Sequence, residues 1–378
     1  MKVCLSYVGR SHGFDLARQL EVRGSLERLY TCYPVFKVDT SLRERTSTFP
    51  WLLTPAMAAE RIGLVGLTQI LQWPITIAFD RWVERHLKPC DVVVALHSFG
   101  LETFRRARQF GVKTICDQSS VHIKYQDEQL SEEHRRWRLP YRPIHPKIVD
   151  KVVQEYEEAD LITIPSENVR RSFSAAGGPT KKLRKLIYGV DISLFKPVAK
   201  KDDVFRVLYA GSVSLSKGVL YLLQAMSRLR LPNFEVVLIG GISPEIRPFL
   251  SEFEDTFKYA GFIQRADLYQ YLSQGSVLIQ PSIQEGLSLI LAQAMACGLP
   301  IIATDHTGAE DLITDGKEGF IVPIRDPQAI RERVLYLYEN VELRGTMAFN
   351  ALQRVRSLGG WDFYGSEAVR IYGELLKE

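Results

Sequence analysis

Residues 280–300, QPSIQEGLSLILAQAMACGLP, could bind a phosphorylated ligand. A short apolar run ends in a tight turn, after which a helix rich in Ala, Leu and Met is predicted. The N–H groups of Gly286, Leu287 and Ser288 would lack helical partners, and the helix dipole would add positive potential, so a phosphate could bind there. Glu285, at the lip of the turn, could hold the hydroxyls of a sugar attached to that phosphate. The segment therefore predicts a nucleotide-sugar site, although an ordinary turn carboxylate is the plainer alternative.

A second candidate phosphate loop, GSVSLSKG, covers residues 211–218 and directly follows a predicted strand. A glycine-rich turn lets backbone amides approach a phosphate, and Lys217 can add a positive charge. A cation at the positive end of a helix is unfavourable by itself, which is easier to understand if an anion lies between them. A solvated surface lysine is the alternative.

The third candidate is the turn GRSHG near the start, where Gly9, His12 and Gly13 are predicted to contact a phosphate or an acceptor. The turn lacks the GxGxxG pattern of dinucleotide sites, and a mere flexible loop is equally compatible with it. His97 and His122 follow predicted strands, at the end where parallel sheets bind ligands. Both histidines are therefore candidates, although a lone histidine is more often structural.

Strand-like and helix-like runs alternate along the whole chain. Strands are predicted at 2–7, 91–96, 112–116, 160–164, 205–210, 234–239, 276–280, 299–303 and 319–322, and helices from 14, 217, 266, 287 and 327, with Ser166 as an N-cap. Such alternation predicts an α/β protein with two facing, doubly wound, Rossmann-like parallel-sheet domains and a ligand cleft between them.

The domain limits are predicted from a charged, proline-containing break after residue 191. Residues 1–190 would form an acceptor-binding domain, completed by a C-terminal helix at about 358–378. Residues 191–357 would form the nucleotide-sugar-binding domain.

Composition narrows the class of protein. The chain has 378 residues, 46% hydrophobic and 24% charged, with a net charge of +4, which is too mild to argue for nucleic acid. Its five cysteines are scattered without a CxxC pair, which favours a reducing cytoplasm over disulfides or a zinc site. The apolar window at 62–79 contains Gly, Gln, Trp and Pro, so a spanning helix is not expected.

Over nearly its whole length the chain resembles a family 4 glycosyltransferase of the GT-B fold. The motifs that carry the resemblance are YVGRSHG, YGVD, residues 211–218, AGFIQRADL, PSIQEGLSLILAQAMACGLPII and TGAEDLITDGKEGFIVP. The resemblance implies a donor bound by the C-terminal domain and transfer with retention of anomeric configuration. It also implies that no metal or other cofactor is needed, and no D-x-D triplet occurs in the sequence.

Only some of the family's site residues have their counterpart of the same type in this sequence. Glu285 matches the first acid of the E-x7-E motif, which contacts the donor sugar, whereas the second, ribose-binding acid falls on Gln293. Lys217 matches the diphosphate lysine, but Ser212 occupies the position of its companion arginine. His122 best fits the histidine that lines the donor sugar.

Further expectations concern the ligands. The backbone near Ile263 should meet the base of a UDP- or GDP-linked donor, and Gly211 should lie near its phosphates. The acceptor would be a glycan, a lipid-linked sugar or a small molecule. Asp311, rather than Glu310, falls at the family's acidic position in TGAED. The released nucleoside diphosphate could take the acceptor proton, so no dedicated protein base is required.

Two alternatives to a glycosyltransferase remain open. The substitutions at Gln293 and Ser212 fit a catalytically weak partner or sensor subunit that binds a nucleotide sugar. An epimerase or phosphorylase would share the fold, but the cofactor-lysine pattern of a phosphorylase is not found.

Membrane contact is a further expectation. Residues 134–147, HRRWRLPYRPIHPK, mix basic and aromatic residues that could touch anionic lipid or a phosphorylated carrier, although a solvated loop fits equally well. Residues 51–87 are amphipathic in parts and could form an apolar acceptor groove or a membrane surface, but most of them are expected to be core. We therefore predict a cytoplasmic protein that could associate with the inner face of the membrane.

Overall fold

The first domain is built on a parallel sheet. The computed structural model describes residues 1–51 and 70–378. Strands of the first sheet are β1 (Val3–Ser6), β2 (Leu26–Thr31), β3 (Thr46–Thr48), β4 (Val92–Leu96), β5 (Lys113–Asp117), β6 (Leu161–Ile164) and β7 (Leu183–Lys185). Helices in this part are α1 (His12–Val22), α2 (Gln72–His86), α3 (Leu101–Gln109), α4 (Ile123–Arg136), α5 (Pro146–Glu158) and α6 (Glu167–Ala175). The described strands run in the order β3-β2-β1-β4-β5-β6-β7 and pair in parallel.

A second parallel sheet follows in the chain. Its strands are β8 (Phe205–Ala210), β9 (Phe234–Ile239), β10 (Lys258–Gly261), β11 (Val277–Gln280), β12 (Ile301–Thr304) and β13 (Gly319–Val322). The helices are α7 (Val219–Ser227), α8 (Arg247–Leu250), α9 (Arg265–Leu272), α10 (Leu289–Ala296), α11 (Pro327–Glu339), α12 (Val341–Ser357) and α13 (Gly360–Leu375). The strand order β10-β9-β8-β11-β12-β13 places the ends of β8 and β11 side by side.

Both faces of each sheet are covered. Along β1, Val3 and Leu5 belong to one apolar cluster, whereas Cys4 belongs to another, because successive side chains of a strand point to opposite faces. Parallel strands buried on both sides read as nearly continuous apolar runs, as VVVAL in β4 does.

The last helix returns to the first domain. Helix α13 packs on α1, and the Arg23 guanidinium lies 2.7 Å from the Asp362 carboxylate across this contact. The domain limits themselves stay a prediction.

The predicted elements agree closely with the described ones. The strands predicted at 205–210, 234–239 and 319–322 have those limits, and the Ser166 hydroxyl caps α6 by accepting the Val169 N–H. The strands β2, β3, β7 and β10 were not predicted. Three of them have only three or four residues, and β2 reads LERLYT, whose two central charges hide its apolar pattern.

The basic segment 134–147 is partly an interdomain contact. The Trp137 ring packs against Tyr221 and Phe249 of the second domain, and the buried Glu133 carboxylate accepts the Trp137 indole N–H at 2.9 Å. Arg325 of the second domain bonds the same carboxylate at 2.7 Å. This tryptophan therefore contributes to the fold, while Arg135 and Arg142 remain exposed.

No helix among the described residues is long and apolar enough to cross a lipid bilayer. The predicted core segment 51–87 falls partly outside the described residues. In its described part, Phe79 and Val83 of α2 are fully buried, which agrees with a core role for that helix.

Gly218 is a position where only glycine fits. It precedes α7 with a φ of 64°, and a Cβ there would lie 1.9 Å from the Pro281 carbonyl oxygen. Gly316 in the same domain has a φ of 80°, but a Cβ there would meet nothing within 4 Å.

We expect Gly316→Ala to lower the free energy of unfolding by about 1 kcal/mol, the cost of a left-handed residue. Gly218→Ala should cost roughly 1–3 kcal/mol more, because the β11 turn must also move. Urea unfolding of both variants measures the difference. Equal losses for the two variants would contradict the close approach of α7 to the β11 turn.

Candidate functional site

The turn after β11 is held by the loop that follows β12. The Glu285 N–H donates to the His306 carbonyl at 2.9 Å, and the Ser288 N–H donates to the Thr307 carbonyl at 3.1 Å. The prediction that three consecutive amides are free is therefore wrong for Ser288. The N–H groups of Gly286 and Leu287 have no partner among the described residues, so these two remain able to bind a ligand.

The carbonyls of the same turn are bound by the first domain. The Ser166 hydroxyl donates to the Gly286 carbonyl at 2.5 Å, and the Asn168 amide donates to the Glu285 carbonyl at 2.9 Å. A Cβ at Gly286 would lie 2.0 Å from the Ser119 carbonyl oxygen, so only glycine allows this approach. The two domains thus meet at the predicted phosphate turn.

A second tie lies beside the first one. The Asp311 carboxylate accepts the Glu167 N–H at 2.7 Å and lies 2.8 Å from the Lys185 ammonium. Asp311 therefore links the second domain to the first in this structure.

Lys217 and Glu285, predicted separately, lie together. The Lys217 ammonium is 2.5 Å from the Glu285 carboxylate, and both side chains are only partly buried. Ser282 donates to the same carboxylate oxygen at 3.2 Å. The two predicted site residues are thus joined in a partly exposed ion pair.

The glycine-rich loop is only partly open to a ligand. The Gly211 N–H donates to the Ile239 carbonyl at 2.9 Å, so this amide cannot serve a phosphate. Ser212 is exposed, its carbonyl accepts the Tyr209 hydroxyl, and its short side chain supplies no charge. The positive charge of this loop therefore comes from Lys217.

A cleft of about 690 Å³ lies between the two domains. Its lining includes Arg10, His12, Phe262, Arg265, Leu289 and Gln293. The Gln293 amide has no hydrogen bond to any described residue, so it can turn to a ligand. Phe262 is 73% exposed at the rim, and its neighbour Ile263 is half-buried against the core.

His12 lies in a hydrogen-bond network under this cleft. Its Nε2 is 2.6 Å from Asp117, which also accepts the Tyr7 hydroxyl at 2.5 Å and the Thr163 hydroxyl at 2.8 Å. The His12 ring packs on Tyr188 with the ring centroids 4.4 Å apart.

The charge of Asp117 is set by these contacts. Burial alone would raise the pKa of its carboxyl, but attraction to His12 and the three hydrogen bonds hold that pKa below its usual value.

The structure also places the other predicted residues of the N-terminal turn and the histidine that follows β4. The Gly13 N–H is bound by the Ser11 hydroxyl at 3.3 Å, so this amide is not free for a phosphate. Gly9 is only half-buried and its Cα has open space beside it. His97 contacts Ser119 at 3.3 Å, and burial lowers its pKa to about 4.

The structure places His122 in the core rather than at the donor site. Its side chain is 2% exposed and packs between Tyr156 and Phe173, while Nδ1 accepts the Lys124 N–H as the N-cap of α4. This contradicts a His122 ring that lines the donor sugar. Ser119, three residues earlier, occupies the position against the phosphate turn.

Two residues at this junction, Asn168 and Ser119, were not predicted. Asn168 follows the predicted N-cap by two positions, and Ser119 lies in the loop after β5. Neither side chain belongs to a motif, and their neighbours across the domain junction are more than 100 residues away in sequence. No sequence signal could have identified them.

No group of three or more His, Cys, Asp and Glu side chains that could hold a metal occurs within residues 1–51 and 70–378. Metal independence stays a prediction.

The second domain carries a family signature. Residues 204–340 match the family model of group 1 glycosyl transferases. EpsD of Bacillus subtilis, which is named as a glycosyltransferase, is 27% identical over 257 residues, or 63% of this chain. The match spans 64% of EpsD, which is less than two thirds of that relative. The chain thus has glycosyltransferase homologues.

Solved structures resemble the whole chain. Sucrose-phosphate synthase from Thermosynechococcus elongatus has a TM-score of 0.78 at 19% identity, covering 100% of this chain and 99% of the synthase. Anabaena HepE in complex with UDP has a TM-score of 0.71 at 18% identity, covering 99% of this chain and 100% of HepE. The prediction of an α/β, GT-B-like fold with two parallel-sheet domains is confirmed.

His122 leads to a prediction about pH. Burial lowers the pKa of this imidazole to about 4, whereas in an unfolded chain it is about 6.5. Below pH 6.5 the unfolded state therefore takes up a proton that the folded state refuses, so stability falls as the pH drops towards 4. This histidine should cost on the order of 2 kcal/mol at pH 5.

We expect His122→Asn, which keeps an N-cap acceptor, to reduce the loss of stability between pH 7.5 and pH 5. Urea unfolding at both pH values measures this loss. The comparison between proteins uses only the change in the free energy of unfolding from pH 7.5 to pH 5. His86→Asn, at the exposed end of α2, is the control and should keep the wild-type dependence. An unchanged dependence in His122→Asn would show that His122 is not held neutral.

Proposed function

We propose that the protein is a retaining glycosyltransferase that moves a sugar from a UDP- or GDP-sugar to a glycan, lipid-linked or small-molecule acceptor. One observation carries this proposal. The Lys217 ammonium and the Glu285 carboxylate meet beside the two unpaired amides of Gly286 and Leu287, at the junction of the domains.

A bound donor would separate the stored ion pair. Lys217 would turn to the diphosphate, and Glu285 would accept hydrogen bonds from hydroxyls of the sugar. The amides of Gly286 and Leu287 would bind phosphate oxygens, as the start of a helix favours. Lys217 would exchange one charged partner for another, and the partly buried Glu285 would exchange the ammonium for hydroxyl donors, so neither group would lose all its partners, which keeps the cost of opening the pair low.

The reaction would then use the charge that develops on the leaving group. As the bond from the anomeric carbon to the diphosphate oxygen breaks, Lys217 and the two amides stabilise the departing diphosphate. The acceptor oxygen attacks on the face that the diphosphate leaves, and the diphosphate takes the acceptor proton. The cleft between the domains contributes by holding both substrates in the reacting orientation.

The nucleotide part would lie in the cleft lined by Phe262 and Gln293. The backbone near Ile263 would meet the base and Gln293 the ribose, where an amide can accept from one hydroxyl and donate to the other. Because the structural neighbour HepE was solved with UDP, a uridine nucleotide is the first candidate to test.

A second candidate function is a nucleotide-sugar sensor or partner subunit. Gln293 in place of the second acid and the uncharged Ser212 in the phosphate loop favour it. A sensor would bind the donor without releasing free nucleoside diphosphate, so turnover distinguishes the two functions.

The proposed cellular role is the synthesis of a cell-surface polysaccharide or glycolipid in the cytoplasm, near the inner face of the membrane. The exposed Arg135 and Arg142 support contact with an anionic surface, whereas Trp137 is committed to the interdomain contact. We propose that the protein needs no metal or other cofactor and has no nucleic acid partner.

The function is tested first with a panel of UDP-, GDP- and ADP-sugars in thermal shift, followed by nucleoside diphosphate release with the donor that stabilises the protein. We expect Lys217→Ala and Glu285→Ala to lower kcat about 10²–10³-fold, because each removes a contact made in the transition state. The matched control is Lys258→Ala, because the Lys258–Glu235 pair is also 2.5 Å long but lies at the edge strand β10. Full turnover in both site variants would overturn the proposed mechanism.

Gln293 gives an independent prediction. Gln293→Glu restores a charge-assisted hydrogen bond to the ribose and should tighten donor binding by on the order of 1 kcal/mol, about fivefold in Kd. Isothermal titration with the nucleoside diphosphate measures this change. Gln328→Glu, on an exposed part of α11, is the control and should leave the affinity unchanged. Weaker binding by Gln293→Glu would place the ribose elsewhere.

A further inference from the structure

His12 is buried and yet faces the interdomain cleft. Only 6% of the residue is exposed, and it lines the same cavity as Leu289 and Gln293 of α10. The two ring nitrogens differ. Nε2 is held by Asp117 at 2.6 Å, whereas Nδ1 has no hydrogen-bond partner in the described part of the chain and is not enclosed by protein atoms. Nδ1 is therefore the side-chain nitrogen of His12 that a ligand in the cleft can reach.

The surroundings of Asp117 favour a positive charge on His12. The Asp117 carboxylate is buried, and Tyr7 and Thr163 contribute only neutral hydroxyl donors to it. A buried carboxylate is costly unless a positive group balances it. Of the two histidines near Asp117, His97 is kept neutral because burial lowers its pKa to about 4.

The groups around the His12 ring come from several elements. They are Tyr7 just after β1, His97 after β4, Asp117 on β5, Tyr188 before the second domain, Arg10 before α1, Asp15 within α1, and Arg265 on α9. Asp117 is the only acidic group of this set in direct contact with the ring. The ring therefore connects a buried negative charge on one side with the cleft on the other.

We propose that protonated His12, held by Asp117, donates a hydrogen bond from Nδ1 to the diphosphate of the donor and stabilises it as it departs. This inference rests on the proposed function. It explains how the site works with Ser212 in the phosphate loop, because the second positive charge is supplied from the first domain instead.

The step balances without proton transfer from the protein. The bond between the anomeric carbon and the diphosphate oxygen breaks, and its electron pair stays on that oxygen. The new bond forms to the acceptor oxygen, whose proton passes to the diphosphate. His12 keeps its own proton throughout and contributes charge and a hydrogen bond, which grow stronger as the diphosphate becomes more negative.

The opposite role is that of a base. A neutral His12 could take the acceptor proton at Nδ1, with Asp117 fixing the tautomer. The two roles require opposite protonation states, so they predict opposite dependences of the rate on pH.

The test compares wild type with His12→Gln, whose amide can still donate to Asp117, across pH 5.5–9. The probes are UDP and GDP in titration calorimetry and the turnover of the stabilising donor. We expect His12→Gln to lower kcat/KM about 10–100-fold near neutral pH. The wild-type rate should fall with rising pH, and the variant should lack this fall. In the calorimetry, titration of the terminal phosphate of UDP or GDP affects wild type and variant equally.

Asp117→Asn provides the second variant, because it removes the negative charge but keeps a polar side chain. It should shift the fall in rate to lower pH. His86→Gln, at an exposed helix end, is the control and should behave as wild type.

The experiment distinguishes a failure of the proposed function from a failure of the role assigned to His12. If wild type binds no nucleoside diphosphate, the proposed function fails. If wild type binds and turns over while His12→Gln matches it at every pH, the role of His12 is refuted. A fall in wild-type rate at low pH that disappears in His12→Gln would identify a base and overturn the inference.

Discussion

The site depends on how the turn from Gln284 to Ser288 is held. Its carbonyls accept hydrogen bonds from Ser166 and Asn168 of the first domain, and two of its amides donate to the loop after β12. What remains unpaired is a pair of neighbouring N–H groups next to an ion pair. Because the amides of Glu285 and Ser288 and the carbonyls of Glu285 and Gly286 all have partners, the position of those two donors is fixed before any ligand arrives.

The charged side chains also differ in how completely they are paired within the protein. Lys151, Asp80 and Glu155 form a buried cluster in the first domain, and Glu155 also accepts N–H groups at the start of α3. Each of these groups has ion-pair or hydrogen-bond partners within the first domain and serves the fold. Lys217 and Glu285, by contrast, are partly exposed and are bound mainly to each other, so they can exchange partners. His12 lies between these cases, with one nitrogen committed and the other open to the cleft.

Much of the site was predictable because it follows from local patterns. A strand, a glycine turn and a helix start identify Lys217 and Glu285 without knowledge of the rest of the chain. His122 was placed wrongly because it also follows a strand, and sequence does not show that its ring turns into the core between Tyr156 and Phe173. Ser288 was misjudged because its amide partner, Thr307, comes from a different loop.

The sequence by itself determined the α/β alternation, the two-domain fold and the candidate residues of the turn after β11, because these depend on the period of apolar residues and on a few neighbouring side chains. Only the tertiary structure decided which amides stay free, that Lys217 meets Glu285, and that Asp117 binds His12 across 105 positions of sequence. Hydrogen bonds of this kind form between elements that the fold brings together, and no local pattern records their partners.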